Sequence, residues 1–430
     1  MLEKLKSIKS DFVRNVILVM TGTAVSQMIG LAVTPILTRN YSPKDFGILL
    51  IYISILTIAG TISTGKYERV ILLLKFNSDI KRVVLLSLFI SLMAGMFLLI
   101  LTLTSKQLIV EYLSFDITYY NWIITIPFLL VVYSQYIVFS TLLNYQKNYK
   151  ALSIAKVVKT LTSITTSLTC IILLNDARGL ILGEILGYTF SFIYIFSLNR
   201  AFLNLKIISF YKIREVALRY KEFPIYNIPS DFMNMTSSQL PAFFLTTYFG
   251  TGVTGFYSLM KRVLDAPIGL LSTSVLEVFR QKAAEKYLEN GNCKSLFIKT
   301  AKSLALMSLV PFILLFVYAP DLFSFLFGKE WRIAGDYSRI FTLYYYFKFI
   351  SSPLTYMFYI AEKQRIDFLL HIYVFCSVII ILNLPKFINM NEIQVLLTYS
   401  INFVLIYIVY FIFSYELAKG NLSNNQTRIR

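Results

Sequence analysis

The chain has 430 residues, of which 57% are hydrophobic and only 15% are charged, whereas soluble globular domains carry about 25% charged residues. This composition excludes a sizeable soluble domain. The net charge is +18, but basic residues beside apolar segments are explained by membrane topology and by anionic lipid headgroups, so nucleic acid is not an expected partner.

Long apolar segments recur along the whole chain. Runs of about 20 apolar residues are long enough to cross the hydrocarbon core of a bilayer as helices, and the sequence predicts about twelve of them. They lie near residues 12–37, 46–65, 82–104, 120–144, 151–175, 179–198, 223–249, 254–278, 297–319, 337–361, 367–385 and 392–418.

The 41 lysines and arginines are distributed unevenly between these spans. Most of them lie in the two tails and in every second gap. Because cytoplasmic loops are enriched in Lys and Arg, the pattern predicts that both termini are cytoplasmic. The longest gaps, near residues 199–222 and 279–296, are short and basic. They leave no room for a separate catalytic domain, so the chain is not expected to be an enzyme.

The basic segment 200–222 divides the spans into two sets of six. We therefore predict an N-terminal six-helix lobe (residues 1–199), a basic cytoplasmic linker (200–222) and a C-terminal six-helix lobe (223–430). Both lobes begin with a helix that runs from inside to outside, so they form a parallel repeat. Transporters built in this way bind their substrate between the two halves.

Short motifs support this duplication. Ser26 and Gln27 in the first span recur as Ser238 and Gln239 in the seventh. A shared helical face then appears in spans 2 and 8, because polar or small residues recur there at steps of three and four. The alignment pairs Ser54, Thr57, Thr61 and Thr64 with Arg262, Asp265, Gly269 and Ser272, and Gly47 with Gly255.

Polar residues inside the spans follow single helical faces. Such a stripe favours either close helix packing with hydrogen bonds between helices or the lining of a polar cavity. The stripes are Ser54, Thr57, Thr61, Thr64 and Glu68 in span 2; Ser153, Lys156, Thr160, Ser163 and Ser167 in span 5; Asp231, Asn234 and Ser238 in span 7; and Ser258, Arg262, Asp265, Gly269 and Ser272 in span 8.

Several cations also lie within spans, where each costs roughly 2.5 to 3.5 kcal/mol if it faces lipid. Lys261 and Arg262 can pair with Asp265 on their own helix. The other three have no acid one turn away on their own helix: Lys156, Lys159 and Lys348. The sequence therefore predicts a net-positive cavity that suits an anionic substrate.

Asp231 and Glu68 are candidates for ion coupling, because a carboxylate beside a cavity can bind a proton or a sodium ion. The alternative is that such an acid only neutralises a neighbouring cation. Neither a metal nor an organic cofactor is expected, since Cys170, Cys293 and Cys376 have no metal-ligand spacing.

Five segments resemble polysaccharide-export flippases of the Wzx type, in the multidrug/oligosaccharidyl-lipid/polysaccharide (MOP) superfamily. In order and spacing they cover nearly the whole chain. They are LTRNYSPKDFGILL (37–50), TGKYERVILL (64–73), FPIYNIPSDFMNMTSSQLPAFFLTTYFGTGVTGFYSL (223–259), FGKEWRIAGDYSRI (327–340) and SSPLTYMFYIAEKQ (351–364).

The resemblance implies an all-α integral membrane fold of about 12 helices, arranged as two pseudo-symmetric six-helix lobes around a cavity lined by spans 1, 2, 7 and 8. It implies a bacterial inner-membrane protein that moves an undecaprenyl-diphosphate-linked oligosaccharide to the outer leaflet by alternating access. The product would be O-antigen or capsule, with membrane lipids, a polysaccharide polymerase and chain-length machinery as partners.

For this substrate, the residues expected to hold the diphosphate are Arg262, Lys156, Lys159 and Lys348, because a diphosphate needs fixed positive charge. The expected polar lining is Thr61, Asn234, Ser238 and Asp265. Transport is expected to be coupled to a proton or sodium gradient.

Two other functions share parts of this pattern. A cation-coupled multidrug exporter of the same superfamily would favour an acidic, aromatic cavity, and the basic excess within the spans argues against it. A membrane polysaccharide polymerase or glycosyltransferase would show a large outer loop or a cluster of carboxylates, and the sequence contains neither.

Overall fold

A computed structural model describes residues 2–74, 76–107, 117–174, 176–200 and 210–420. This part of the chain is helical and contains no strand. It packs as two compact units, residues 1–255 and 256–430.

The first unit contains nine of the helices within the described residues. They are α1 (Leu2–Asn40), α2 (Pro43–Gly60), α3 (Asn77–Thr104), α4 (Ile117–Ile123), α5 (Ile126–Tyr145), α6 (Tyr149–Leu173), α7 (Ala177–Leu198), α8 (Phe210–Arg219) and α9 (Ile228–Phe249). A 3₁₀ segment, Tyr67–Leu73, follows α2, and one π-helical turn, Phe223–Asn227, precedes α9.

The helix α10 (Thr251–Asn290) begins at the end of the first unit and continues into the second. The remaining helices of the second unit are α11 (Lys294–Phe327), α12 (Arg332–Ser351), α13 (Met357–Ile360), α14 (Gln364–Phe387) and α15 (Glu392–Ala418).

Each predicted span overlaps a long helix. Within the described residues, eight helical segments are long and apolar enough to cross a membrane, and they correspond to α2, α3, α4 with α5, α6, α7, α11, α14 and α15. Among the remaining spans, α10 and α12 carry charged residues in their interiors, and α9 carries Asp231 in its first turn.

The end of span 2 differs from the prediction. Helix α2 ends at Gly60, and residues 61–66 form turns, with positive φ angles at Gly65 (62°) and Lys66 (60°). A glycine adopts this left-handed conformation without steric cost. The prediction that Thr64 and Glu68 continue one helical face from Ser54 was therefore wrong.

The structural units also differ from the predicted lobes, because α9 lies in the same compact unit as α2. The side chain of Ser54 on α2 donates a hydrogen bond to Gln239 Oε1 on α9 (3.0 Å). The limits 1–199 and 223–430 describe the sequence repeat and stay a prediction.

Two glycines that the predicted repeat pairs, Gly47 and Gly255, make reciprocal close contacts. A Cβ on Gly47 would overlap the carbonyl oxygen of Thr251, and a Cβ on Gly255 would overlap that of Pro43. Pro43 and Thr251 are themselves related by the repeat offset. Only glycine, which has no Cβ, lets the backbone of the neighbouring helix come so close at these two positions.

Helix α6 also packs closely against α7. Gly183 and Gly187 of α7 face α6, where an added Cβ would lie 2.6 Å from Ser163 O and 2.8 Å from Lys159 O, respectively. Small residues four apart let two membrane helices approach at backbone distance. This approach brings the neighbouring Glu184 within reach of α6.

Candidate functional site: charged residues inside the helices

Lys159 on α6 is paired with an acid from the neighbouring helix. Its Nζ lies 2.7 Å from Glu184 Oε2 and 4.6 Å from the ring centroid of Tyr188, both on α7. Ser163 donates a hydrogen bond to the other oxygen of Glu184 (3.4 Å). The sequence has no acid one turn away from Lys159 on α6. Glu184 comes from α7 instead, where the close packing at Gly183 and Gly187 brings the two helices together.

Lys156, one turn earlier on α6, has a different environment. It is half-buried, and its Nζ donates a hydrogen bond to the hydroxyl of Thr23 on α1 (2.7 Å). Among the described residues it makes no ion pair. A neutral hydroxyl leaves its positive charge uncompensated, in contrast to Lys159.

In the second unit, Lys348 on α12 pairs with Asp265 on α10. The distance from Lys348 Nζ to Asp265 Oδ1 is 2.8 Å, and Tyr345 donates a hydrogen bond to the same oxygen (3.1 Å). The Lys348 ammonium also lies 4.8 Å from the ring centroid of Tyr345. Asp265 thus has a partner on α12, in addition to the neighbours on α10 that the sequence predicts. Arg262, one of those neighbours, is half-buried on α10.

A further charge cluster lies between the end of α2 and the start of the 3₁₀ segment. Lys66 Nζ and Arg69 Nη2 both contact Asp231 Oδ2 on α9, at 2.9 Å and 2.6 Å. We call Lys66, Arg69 and Asp231 the Asp231 cluster. The sequence pattern predicts a role for Asp231 but not its pairing with these two cations, because both lie in a gap between spans, where basic residues indicate topology. Their place in the TGKYERV motif was the available signal.

The remaining predicted residues occupy separate positions. Thr61 is buried at the end of α2 and donates a hydrogen bond to Ile58 O (2.7 Å). Glu68 is buried, and its Oε2 accepts a hydrogen bond from Thr64 (2.6 Å). Asn234 and Ser238 are exposed on α9. Within the described residues, no group of three His, Cys, Asp or Glu side chains could hold a metal ion.

The model of a family described as polysaccharide biosynthesis proteins matches residues 36–335. A search of curated proteins finds no match. The structure resembles the lipid II flippase MurJ in an inward closed conformation, with a TM-score of 0.72 and 16% identity over 93% of this chain and 87% of that one.

Two further solved structures have the same fold. An inward-facing multidrug resistance MATE transporter of the MOP superfamily gives a TM-score of 0.66 at 14% identity, over 92% of this chain and 93% of that one. A MOP superfamily transporter from Pyrococcus furiosus, described as having a binding pocket of reverse polarity, gives 0.61 at 15% identity, over 93% and 96%. The predicted all-α membrane transporter fold is thereby confirmed.

Proposed function

The chain belongs to the family of polysaccharide biosynthesis proteins, and from this membership we propose that it is a flippase for a lipid-linked oligosaccharide. The substrate is an undecaprenyl-diphosphate-linked repeat unit for O-antigen or capsule. It is moved from the cytoplasmic to the outer leaflet of a bacterial inner membrane by alternating access. No covalent bond is made or broken in this step, and a polysaccharide polymerase with its chain-length machinery would use the product.

The observation that carries the proposal is the environment of Lys156. An ammonium group inside a span costs about 2.5 to 3.5 kcal/mol unless its charge is compensated. Among the described residues, the ammonium of Lys156 donates a hydrogen bond to a hydroxyl. An anionic group that visits the site would supply the missing charge. A diphosphate suits this role, because it carries negative charge and strong acceptor oxygens while its lipid tail can remain in the bilayer.

Other cations would assist as the headgroup moves. The proposed additional contacts are Arg262, Lys159 and Lys348, with Thr61, Asn234, Ser238 and Asp265 as polar lining. Lys159 is already paired with Glu184, and Lys348 with Asp265. The diphosphate would therefore share these two lysines with the carboxylates.

We further propose that a proton or sodium gradient drives the cycle through Asp231 and Glu68. Both carboxylates lie beside the turn that ends α2, and one oxygen of each is held by groups of the segment 64–69. Ion coupling is tested by measuring how transport in proteoliposomes depends on the ion gradient for the wild type and for Glu68→Gln. An unchanged dependence would remove Glu68 from coupling.

The function is tested by a leaflet-resolved assay of a fluorescent lipid-diphosphate sugar in proteoliposomes. Lys156→Ala should weaken substrate engagement by roughly 1.5 to 3 kcal/mol, the range for a hydrogen bond to a charged group. Lys150→Ala, at an exposed position near the start of the same helix, is the matched control. Lys156→Arg should restore part of the activity because it keeps the charge.

Two results would contradict the proposal. Wild-type protein that does not translocate the labelled lipid, but exports a cationic dye, would favour the multidrug exporter. Full translocation by Lys156→Gln would show that this ammonium does not engage the diphosphate.

A further inference from the structure

We propose that Lys66 and Arg69 form a binding site for the substrate's phosphate groups at the predicted cytoplasmic end of α2, and that Asp231 is the counter-ion which the phosphate displaces. This inference rests on the proposed function, since it assigns a phosphate-bearing substrate to the Asp231 cluster. It concerns residues of the first unit alone.

The charge balance of the cluster favours a more highly charged anion. Two cations converge on a single carboxylate oxygen, at 2.9 Å and 2.6 Å. One carboxylate supplies one negative charge, so the cluster keeps a positive excess. A diphosphate offers more negative charge and several acceptor oxygens, and it can accept two parallel hydrogen bonds from the guanidinium fork of Arg69.

The cluster is also accessible. The side chain of Arg69 is 46% exposed and that of Asp231 is 28% exposed, whereas Lys66 is only 11% exposed. An incoming anion can therefore reach Arg69 first and replace Asp231 at Lys66 afterwards. A fully enclosed ion pair would not permit this exchange.

The two cations are positioned by a 3₁₀ segment that packs on helices other than α9. Tyr67, Val70 and Ile71 of the 3₁₀ segment are buried in a core with residues of α3 and α5. The hydroxyl of Tyr67 donates a hydrogen bond to Ala217 O on α8 (3.0 Å). The segment that carries Lys66 and Arg69 is thus anchored by contacts other than Asp231, and both cations should keep their places when Asp231 leaves.

Asp231 can be an exchangeable counter-ion or part of a purely structural ion pair, and the two roles predict different results. If Asp231 competes with the ligand, its neutralisation should strengthen anion binding. If it only ties α9 to the 3₁₀ segment, neutralisation should lower stability and leave anion binding unchanged or weaker.

The experiment uses the full chain in nanodiscs, with inorganic pyrophosphate and undecaprenyl diphosphate as probes. Asp231→Asn should bind both probes about fivefold more tightly than the wild type, which corresponds to removing a competing ion pair of about 1 kcal/mol. Lys66→Gln combined with Arg69→Gln should lose about tenfold or more of the affinity. Lys221→Gln, at an exposed position near this end of α9, is the control and should bind like the wild type.

Pyrophosphate binding by Asp231→Asn that is no tighter than that of the wild type would overturn the inference, whatever the stability of the double variant. The leaflet assay separates this failure from a failure of the proposed function. Wild-type translocation of the labelled lipid, together with unaltered binding by Asp231→Asn and by the double variant, would refute this site alone. Neither translocation nor probe binding by the wild type would refute the flippase itself.

Discussion

Three lysines within the predicted spans differ in what compensates their charge. Lys159 meets Glu184, Lys348 meets Asp265, and Lys156 meets a hydroxyl within the described residues. A paired lysine contributes to helix packing because its acid belongs to another helix. An uncompensated lysine is instead available to a ligand. We therefore expect substitutions at Lys159 to affect stability first and substitutions at Lys156 to affect transport first.

Removing the acid from the Lys159 pair should be strongly destabilising. Glu184→Gln leaves the ammonium of Lys159 without a counter-ion inside a span, at a cost of about 3 kcal/mol. The double substitution Lys159→Met with Glu184→Leu should recover most of the loss, because neither charge remains. Thermal unfolding in detergent, followed by the fraction of monodisperse protein, measures both. Equal destabilisation of the single and double variants would show that the pair is not what stabilises this contact.

At the scale of helices, close packing depends on glycines whose Cβ positions are occupied by neighbours. The contact between α6 and α7 places Gly183 and Gly187 against backbone atoms of α6. The same contact sets the distance between Lys159 and Glu184. Helix packing and the charge pair are therefore coupled, and a wider separation of the two helices should weaken both.

Gly183→Ala tests this dependence. The added Cβ would meet Ser163 O at 2.6 Å and the Ser167 side chain as well, so the helices must separate, at a cost of about 1 to 3 kcal/mol. Gly30→Ala on α1 is the control, because no atom lies within 4 Å of its Cβ position. Thermal stability in detergent should fall for Gly183→Ala only. Unchanged stability of that variant would mean that α6 and α7 tolerate a wider spacing.

At the scale of the whole molecule, the orientation in the membrane is a prediction from loop charge. Single cysteines at Ser42 and Gly252 should react with an impermeant thiol reagent added to intact cells, whereas one at Asn290 should react only after the cells are opened. Ser42 and Asn290 are exposed, so access does not limit the reaction there. Labelling at Asn290 from outside would reverse the predicted topology.

The native Cys293, three residues after Asn290, should not disturb this measurement. Burial raises the pKa of its thiol to about 11, above the ordinary value of about 8.5. The reactive form is the thiolate, so at pH 7.5 Cys293 should label far more slowly than an exposed cysteine, and its rate should rise steadily up to about pH 11. Fast labelling of Cys293 itself at neutral pH, located by peptide mapping, would require a Cys293→Ser background.

The sequence by itself determined the helical membrane fold, because a span must be about 20 apolar residues long and must satisfy its own backbone hydrogen bonds. Every predicted span accordingly overlaps a helix. It also identified Lys156, Lys159, Lys348 and Asp231 as unusual, since charges are costly in lipid.

Only the tertiary structure decided which charges meet. Glu184 reaches Lys159 and Asp265 reaches Lys348 from other helices, a pairing that depends on helix rotation and spacing rather than on intervals of three or four residues along one helix. The end of α2 was also beyond the sequence pattern. Its polar periodicity continues to Thr64 and Glu68, but Gly65 and Lys66 adopt positive φ angles. The turn brings Lys66 and Arg69 to Asp231 on α9.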